Sequence, residues 1–167
     1  MQKLKIKKIA VSLFLIFTIF FLDQYSKHFM ENFFYTNEFF KANGFVKITS
    51  FFNIIQVYNT GVSFGILNSS SKYFLLILNF SISLYLAFLI YKSENLRSSV
   101  LFASIIGAAF GNGFDRVTRI GVLDFLDFYF HGFHWPTFNV ADIVICTAVF
   151  FIIVFDIYDN WNRPRSS

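Results

Sequence analysis

The chain alternates between long apolar runs and shorter mixed segments. The apolar runs lie at about residues 9–29, 73–91, 99–114 and 139–158. A helix needs roughly 20 residues to cross a hydrocarbon core of about 30 Å, and the run 73–91 approaches that length without a single charge. The pattern therefore predicts four transmembrane helices within one membrane domain that comprises residues 1–167.

The first apolar run follows a lysine-rich segment, residues 3–8, and therefore also has the layout of a cleavable secretory signal. No cleavage site made of small residues follows it. The run ends in polar residues at helical spacing, among them Asp23 and Lys27. An acid four residues before a base is the favourable order for a helical ion pair. We interpret the run as a retained span whose end carries an ion pair, which either only stabilises the helix end at the interface or has a direct catalytic role.

Residues 30–72 are too polar to span a membrane, and they alternate with period two in Phe45–Thr49 and Ile54–Tyr58. Alternation with β-branched and aromatic residues predicts strands. The following Asn59 and Gly61 predict a turn that needs positive φ or a close approach of the backbone. The expected fold is an all-α integral membrane protein with a small extracytoplasmic β-sheet between helices 1 and 2.

The third and fourth runs carry signals of how their helices pack and begin. Ala103, Gly107 and Gly111 recur every four residues, which predicts a stripe of small side chains for close helix packing. Asn139 and Asp142 have the spacing of a capping box, so we expect the fourth helix to begin there.

Four spans place both termini on one side of the membrane. The basic residues near the span ends would then be cytoplasmic, as the positive-inside rule expects; they are the lysines of residues 3–8, Lys92, Arg97, Arg163 and Arg165. Residues 23–72 and 115–142 would lie together on the outer side.

Composition agrees with a membrane protein, because 56% of the 167 residues are hydrophobic and only 14% are charged, against about 25% in soluble domains. The net charge of +4 does not gather on a face with interleaved aromatics, so we expect no nucleic-acid partner. A single cysteine, Cys146, excludes an internal disulfide. His131 and His134 have no third ligand at recognisable spacing, so we expect neither a metal nor another cofactor.

The segment 111–142 concentrates charge beside hydrocarbon, which makes its ionisable groups functional candidates. Asp124 has apolar neighbours that favour its protonated form, whereas the helix N-terminus at Asp142 favours the ionised form. Two such carboxylates can share a proton and activate water, as in aspartic proteases. On spacing alone, a salt-bridge network with Arg116 and Arg119 or a proton relay in a transporter is equally acceptable.

Five motifs occur along the chain in a fixed order. They are Asp23-Gln24-x-Ser26-Lys27, Asn59-x-Gly61-x-Ser63-Phe64-Gly65, Gly111-Asn112-x-x-Asp115-Arg116, Val122-Leu123-Asp124-Phe125 and Phe138-Asn139-Val140-Ala141-Asp142. This set closely resembles the bacterial lipoprotein signal peptidases, signal peptidase II. The resemblance implies an enzyme that cleaves prolipoproteins just before a diacylglyceryl-modified cysteine, with an aspartate dyad and no metal.

Each implied role falls on a matching position. The dyad falls on Asp124 and Asp142. The residues expected to line the substrate pocket or position the dyad are Asn59, Gly61, Asn112, Arg116 and Asn139, and those expected to be structural or orienting are Asp23, Lys27, Asp115 and Ala141. Asp115 is expected to brace Arg116. Ser63 replaces a common alanine and Leu123 a frequent valine, and both changes are mild.

The resemblance further implies diacylglyceryl-modified prolipoproteins and membrane lipid as partners, a monomer, and a multi-pass protein of the bacterial cytoplasmic membrane with its site at the extracytoplasmic face. Two readings remain beside it. One is a small transporter or assembly subunit whose carboxylates lie near the bilayer midplane, and the other is an inactive homologue that only binds lipid.

Overall fold

A computed structural model of the protein describes residues 2–61 and 70–162. The helices are α1 (Gln2–Thr36), α2 (Glu38–Asn43), α3 (Ser70–Lys92), α4 (Leu96–Thr118) and α5 (Val140–Trp161), and the strands are β1 (Phe45–Lys47), β2 (Phe52–Asn59), β3 (Val122–Phe130) and β4 (Phe133–His134). The motif residues Ser63, Phe64 and Gly65 and the basic residues Arg163 and Arg165 lie outside the described residues.

Helix α1 is longer than the predicted first span and includes residues 30–36, where the sequence pattern indicated no helix. The cause is tertiary packing, because Met30 and Phe34 lie one turn apart on one face and are buried against Leu123 and Phe125. After this contact α1 ends at Thr36, and Asn37 is the N-cap of the short helix α2. The last turns of α1 therefore extend beyond its apolar segment and pack against β3 of the sheet.

Two helices in the described part of the chain have the length and apolar character of membrane spans, at Lys72–Lys92 in α3 and Val140–Trp161 in α5. Helices α1 and α4 are also long, at 35 and 23 residues. Both contain buried charged residues, among them Lys27 and Asp115. The four-span topology therefore stays a prediction.

Helix α4 packs against α1, α3 and α5. The predicted stripe of small residues is confirmed at its contact with α1. A Cβ atom on Gly107 would lie 2.7 Å from the backbone oxygen of Ile16, and one on Gly111 would lie 2.9 Å from the carboxylate carbon of Asp23. The lack of side chains at these two glycines lets α1 and α4 approach closely enough for polar groups to meet between them.

The sheet is antiparallel with the order β1-β2-β3-β4, and strand β2 pairs with β3 through contacts such as Asn53 with Asp127 and Asn59 with Val122. The predicted helical protein with a small sheet is confirmed, and β1 and β2 lie between the first two long helices as expected, but the sheet is larger than predicted because β3 and β4 follow α4. The chain is mostly helical with a four-stranded sheet, half of which comes from the segment after α4. Local alternation predicted strands 45–49 and 54–58, but it contains no signal for pairing across more than 60 residues.

Candidate active site

Asp124 and Asp142 meet where the sheet adjoins the start of α5. Asp124 lies in β3 and is only 2% exposed, whereas Asp142 lies in the first turn of α5 and is half-buried. Asn139 Nδ2 donates to Asp124 Oδ1 at 2.6 Å and to Asn112 Oδ1 at 3.2 Å. Asn112 Nδ2 donates to Asp142 Oδ1 at 2.9 Å. A chain of two amides thus joins the two carboxylates.

The capping box predicted for α5 is confirmed. The Asn139 side chain accepts from the Asp142 backbone N–H, and Asp142 Oδ2 accepts from the Asn139 backbone N–H, both at 3.1 Å. Asp142 therefore has one oxygen bound in the cap and the other bound to Asn112. Backbone and amide donors surround this carboxylate, and the helix N-terminus adds positive potential.

Asp124 has the environment that its apolar neighbours predicted. Burial raises the pKa of this carboxyl group to about 6, from an ordinary value of 3.8. The hydrogen bond from Asn59 Nδ2 to Asp124 Oδ2, at 3.0 Å, favours the ionised form and opposes the rise in pKa. The charge of Asp142 adds to the rise. Asp124 is therefore the carboxyl that holds a proton at pH values at which ordinary aspartates have lost theirs.

A fully buried ionic cluster lies behind the amides. Lys27 Nζ is 2.8 Å from a carboxylate oxygen of Asp23 and 2.8 Å from one of Asp115, and all three side chains are inaccessible to solvent. The same ammonium donates to Asn112 Oδ1 at 2.9 Å. Because Lys27 binds the oxygen of this amide, the amide nitrogen is directed to Asp142. The predicted ion pair of Asp23 and Lys27 is confirmed, and its lysine binds Asn112, which in turn binds Asp142.

The cluster also reaches the start of α5. The backbone N–H of Ala141 donates to Asp23 Oδ1 at 3.1 Å, and Ala141 is completely buried. A larger side chain would have to displace the surroundings of this contact. Asp23 and Ala141 thus lie where the sequence predicted structural residues, and they fix the turn that carries Asp142.

Asp115 does not brace Arg116, contrary to the expectation. It binds Lys27 and lies 2.7 Å from Arg119 Nη1, because residues four apart share a helix face whereas adjacent residues do not. Arg116 Nη1 instead donates to the Asn112 backbone oxygen at 3.1 Å, and its buried Nε has no hydrogen-bond partner among the described residues.

Three residues outside the predicted site complete the network behind the dyad. Arg119 forms an ion pair with Glu31 at 2.8 Å, and Gln24 Nε2 donates to Asp115 Oδ1 at 2.9 Å. The spacing of Asp115 and Arg119 could have revealed the arginine. Glu31 lies in a segment that the pattern did not assign to a helix, so no signal in the sequence pointed to it.

Asn59 and Gly61 close the site from the end of β2. Asn59 binds Asp124 through its nitrogen and accepts the Gly61 backbone N–H at 2.8 Å through its oxygen. Gly61 has a φ of 77°, which confirms the predicted positive value and favours glycine there. The turn therefore aims an amide donor at the buried carboxylate.

The salt-bridge alternative for the two aspartates fails among the described residues, since neither Asp124 nor Asp142 forms an ion pair there. Arg116 lies within electrostatic reach of both. His134 binds Asp127 at 2.8 Å on the sheet. The two carboxylates of the pair are thus held by neutral amides.

Comparison with known proteins identifies the family. The family profile described as signal peptidase (SPase) II matches residues 15–158. The lipoprotein signal peptidase of Pelagibacter ubique (strain HTCC1062) is 37% identical over 107 residues, which cover 62% of this chain and 64% of that relative. That of Janthinobacterium sp. (strain Marseille) is 39% identical over 114 residues, 65% of this chain and 66% of the relative. The aligned part thus falls just short of two thirds of the length of either relative.

A solved structure of a bacterial membrane enzyme, obtained by the in meso method at 2.3 Å resolution, superposes with a TM-score of 0.73. It is 27% identical, and the superposition covers 96% of this chain and 93% of that one. With the apolar helices α3 and α5, this likeness shows that the chain is a bacterial membrane protein. Since the matching profile covers most of its length, the chain belongs to the signal peptidase II family.

Proposed function

We propose that the protein is a membrane aspartic endopeptidase that removes the signal peptide from diacylglyceryl-modified prolipoproteins, cutting just before the modified cysteine. One observation carries this proposal beyond the family match. The carboxylates of Asp124 and Asp142 are joined by the amides of Asn112 and Asn139, and neither is neutralised by an ion pair among the described residues. Two carboxylates in unlike surroundings can act as the acid and the base of a protease that uses no metal.

The different surroundings of the two groups suggest how they divide the chemistry. Asp142, exposed in part and held by donors, is the base that takes a proton from water, and the water oxygen attacks the scissile carbonyl carbon. Asp124, whose pKa burial raises, gives its proton to the carbonyl oxygen. In the reverse transfer, Asp142 protonates the leaving nitrogen of the modified cysteine, Asp124 recovers its proton from the hydroxyl, and the peptide bond breaks.

The neutral residues around the dyad have positioning roles in this proposal. Asn112 and Asn139 fix the separation of the carboxylates, and Asn59 fixes the rotamer of Asp124. Arg116 retains N–H donors that the described residues leave unused, so we assign it to the substrate backbone near the dyad. Gly61 permits the close approach of the β2 turn.

The position of the dyad distinguishes a protease from a proton relay. A relay needs carboxylates distributed along a path through the membrane, near its midplane. Here Asp124 is on a strand and Asp142 is in the first turn of α5, so both lie at the end of the bundle that carries the sheet. An interfacial site suits a substrate whose peptide and lipid arrive together from the bilayer.

We further propose that α1, α3, α4 and α5 all cross the cytoplasmic membrane as one peptidase domain, residues 1–167. The lipid-facing character of α1 supports its inclusion, because Phe14, Phe17 and Phe21 are all exposed on it. Both termini would then be cytoplasmic and the dyad would lie at the extracytoplasmic face. This orientation places the lysine-rich start of α1 and the turn between α3 and α4 in the cytoplasm.

The experiment that tests the proposed activity uses a matched pair of substrates. Purified full-length protein is incubated in detergent with a prolipoprotein that carries the diacylglyceryl group and with the same prolipoprotein unmodified. We expect a product whose mass places the cut immediately before the modified cysteine, and no cut in the unmodified chain. Cleavage elsewhere, equal cleavage of both substrates, or none of either would refute the proposal.

A further inference from the structure

A basic cavity lies at the end of the bundle opposite the dyad. It has a volume of about 420 Å³ and is enclosed between the first turns of α1 and the turn that joins α3 to α4. Its lining includes Leu4, Lys5, Lys7, Lys8, Glu94 and Leu96. Three lysines against one glutamate give this lining a net positive charge, and the proposed chemistry of the dyad uses none of these residues.

Lys8 shows that the charge is built into the fold. Its side chain is only 5% exposed, and its ammonium group donates to the backbone oxygens of Ser93 and, at 3.5 Å, Tyr91. The end of α3 favours a cation, because helix C-termini carry negative potential. Among the described residues, however, Lys8 forms no ion pair with a carboxylate. A lysine held only by carbonyl oxygens contributes positive potential to the cavity that no carboxylate bonded to it offsets.

The two other lysines are free to contact a ligand. Lys5 and Lys7 are both exposed, and Lys5 Nζ lies 5.8 Å from the centre of the Tyr91 ring. The aromatic contact keeps the Lys5 ammonium near the cavity without neutralising it. A ligand in the cavity would therefore meet one fixed and two adjustable cations.

The rim of the cavity is apolar. Leu4 is 68% exposed and Leu96 is 44% exposed, and both belong to the lining. A free anion gains nothing from such leucines, whereas a phospholipid places its phosphate among cations and its acyl chains against the adjoining apolar surface. Basic pockets between helices at a membrane surface are known to bind anionic lipid headgroups.

We infer that this cavity is a binding site for the phosphate headgroup of an anionic phospholipid, with Lys5, Lys7 and Lys8 as its cationic partners. The site would attach the first helix and the α3–α4 turn to one leaflet and thereby fix the depth of the bundle. The inference depends on a membrane surface at this end of the helices and does not depend on the proposed peptidase activity.

The test compares two double variants that lose the same charge at opposite ends of the protein. One is Lys5→Gln with Lys7→Gln, which leaves the buried Lys8 and the fold intact. The control is Lys41→Gln with Lys47→Gln, at exposed positions on α2 and β1. Binding of phosphatidylglycerol to the full-length protein in phosphatidylcholine nanodiscs is measured by competition with a fluorescent anionic lipid. Soluble glycerol 3-phosphate, added in detergent, serves as a probe for the phosphate alone.

We expect the wild type to prefer phosphatidylglycerol to phosphatidylcholine. Loss of the two cavity lysines should weaken that binding by about 30-fold, as removal of two lysine charges at a membrane surface predicts, and the control should stay close to wild type. Equal loss in both variants would reveal general surface attraction only, and no loss in either would leave the cavity without a role. If glycerol 3-phosphate displaces the fluorescent lipid as strongly as phosphatidylglycerol does, the cavity binds free phosphate. Each of these three results overturns the inference.

Discussion

At the scale of single residues, the environment of Asp124 is set by two opposing effects. Burial raises its pKa to about 6, and the amide donor of Asn59 holds the value below what burial alone would give. If the proton on Asp124 is needed for catalysis, activity is lost as the pH rises through this pKa. The high-pH limb of the activity profile therefore reports on Asp124.

Asn59→Ala removes the donor that favours the ionised carboxylate, so we expect the high-pH limb to move upward from about pH 6. The profile of kcat/KM against pH for the modified prolipoprotein checks the shift, because it reports the ionisable groups of the free enzyme. Asn43→Ala, at an exposed amide that donates to the Phe39 backbone oxygen and to no other described residue, is the matched control. An unmoved or lowered limb in Asn59→Ala would show that this amide does not tune the dyad.

The buried cluster makes a second prediction at this scale. Lys27→Met leaves the carboxylates of Asp23 and Asp115 buried without their shared cation, and removal of one partner from such a cluster costs about 3–5 kcal/mol. We expect a large fall in melting temperature in detergent. Lys41→Met, at an exposed pair with Glu38, should cost less than about 1 kcal/mol. Equal melting of the two variants would contradict a structural role for Lys27.

The residue types at the site were more predictable than their partners. The capping box of Asn139 and Asp142 could be predicted from the sequence because the two residues are only three positions apart. Asp115 was assigned to its sequence neighbour Arg116, yet it binds Arg119 and Lys27, because helix geometry and the close contact with α1 decide its partners. The pair with Arg119 follows from four-residue spacing within α4, whereas the contact with Lys27 is long-range and leaves no periodic signal in the sequence.

At the scale of elements, the contact between α1 and α4 holds the network together. A methyl group on Gly107 would meet the Ile16 backbone, which cannot rotate away, whereas one on Gly113 would meet only the Asn79 side-chain amide, at 3.2 Å. Small residues at a helix interface in lipid serve this close approach.

Gly107→Ala should therefore push the two helices apart, lower the melting temperature and reduce activity. Gly113→Ala is the matched control, since alanine is intrinsically better in a helix by about 1 kcal/mol and only a flexible side chain must move. Thermal melting and cleavage rates of both variants check this. If Gly107→Ala is as stable and active as Gly113→Ala, the close approach is not needed.

The elements themselves were predicted unevenly. The apolar runs marked the cores of the long helices, and alternation marked strands in the segment before α3. The extension of α1 to Thr36 and the joining of β3 to β2 were not visible. Both depend on contacts between segments far apart in sequence, such as Met30 and Phe34 against Leu123.

At the scale of the whole molecule, the proposed orientation separates two ends of the bundle. The sheet and the dyad occupy one end, and the basic cavity occupies the other. A protease for substrates that have crossed the membrane needs its dyad on the extracytoplasmic side, and the anionic cytoplasmic leaflet suits the lysines.

Cysteine labelling tests that orientation. In a Cys146→Ser background, Lys47→Cys marks the sheet and Lys92→Cys marks the opposite end. We expect a membrane-impermeant maleimide to label the first in intact spheroplasts and the second only after lysis. The reverse pattern would invert the topology, and labelling of both in intact spheroplasts would show that α3, the helix between the two positions, does not cross the membrane.

The most direct test of the whole account is the cleavage rate of Asp124→Asn and Asp142→Asn on modified prolipoprotein, with melting temperature followed in parallel. The amide has the shape of the carboxyl group but can neither act as the base nor take part in the shared proton. We predict that each variant loses cleavage by several orders of magnitude while it remains folded. A folded variant that cleaves at the wild-type rate would show that its aspartate is not catalytic, and the proposed mechanism would fail.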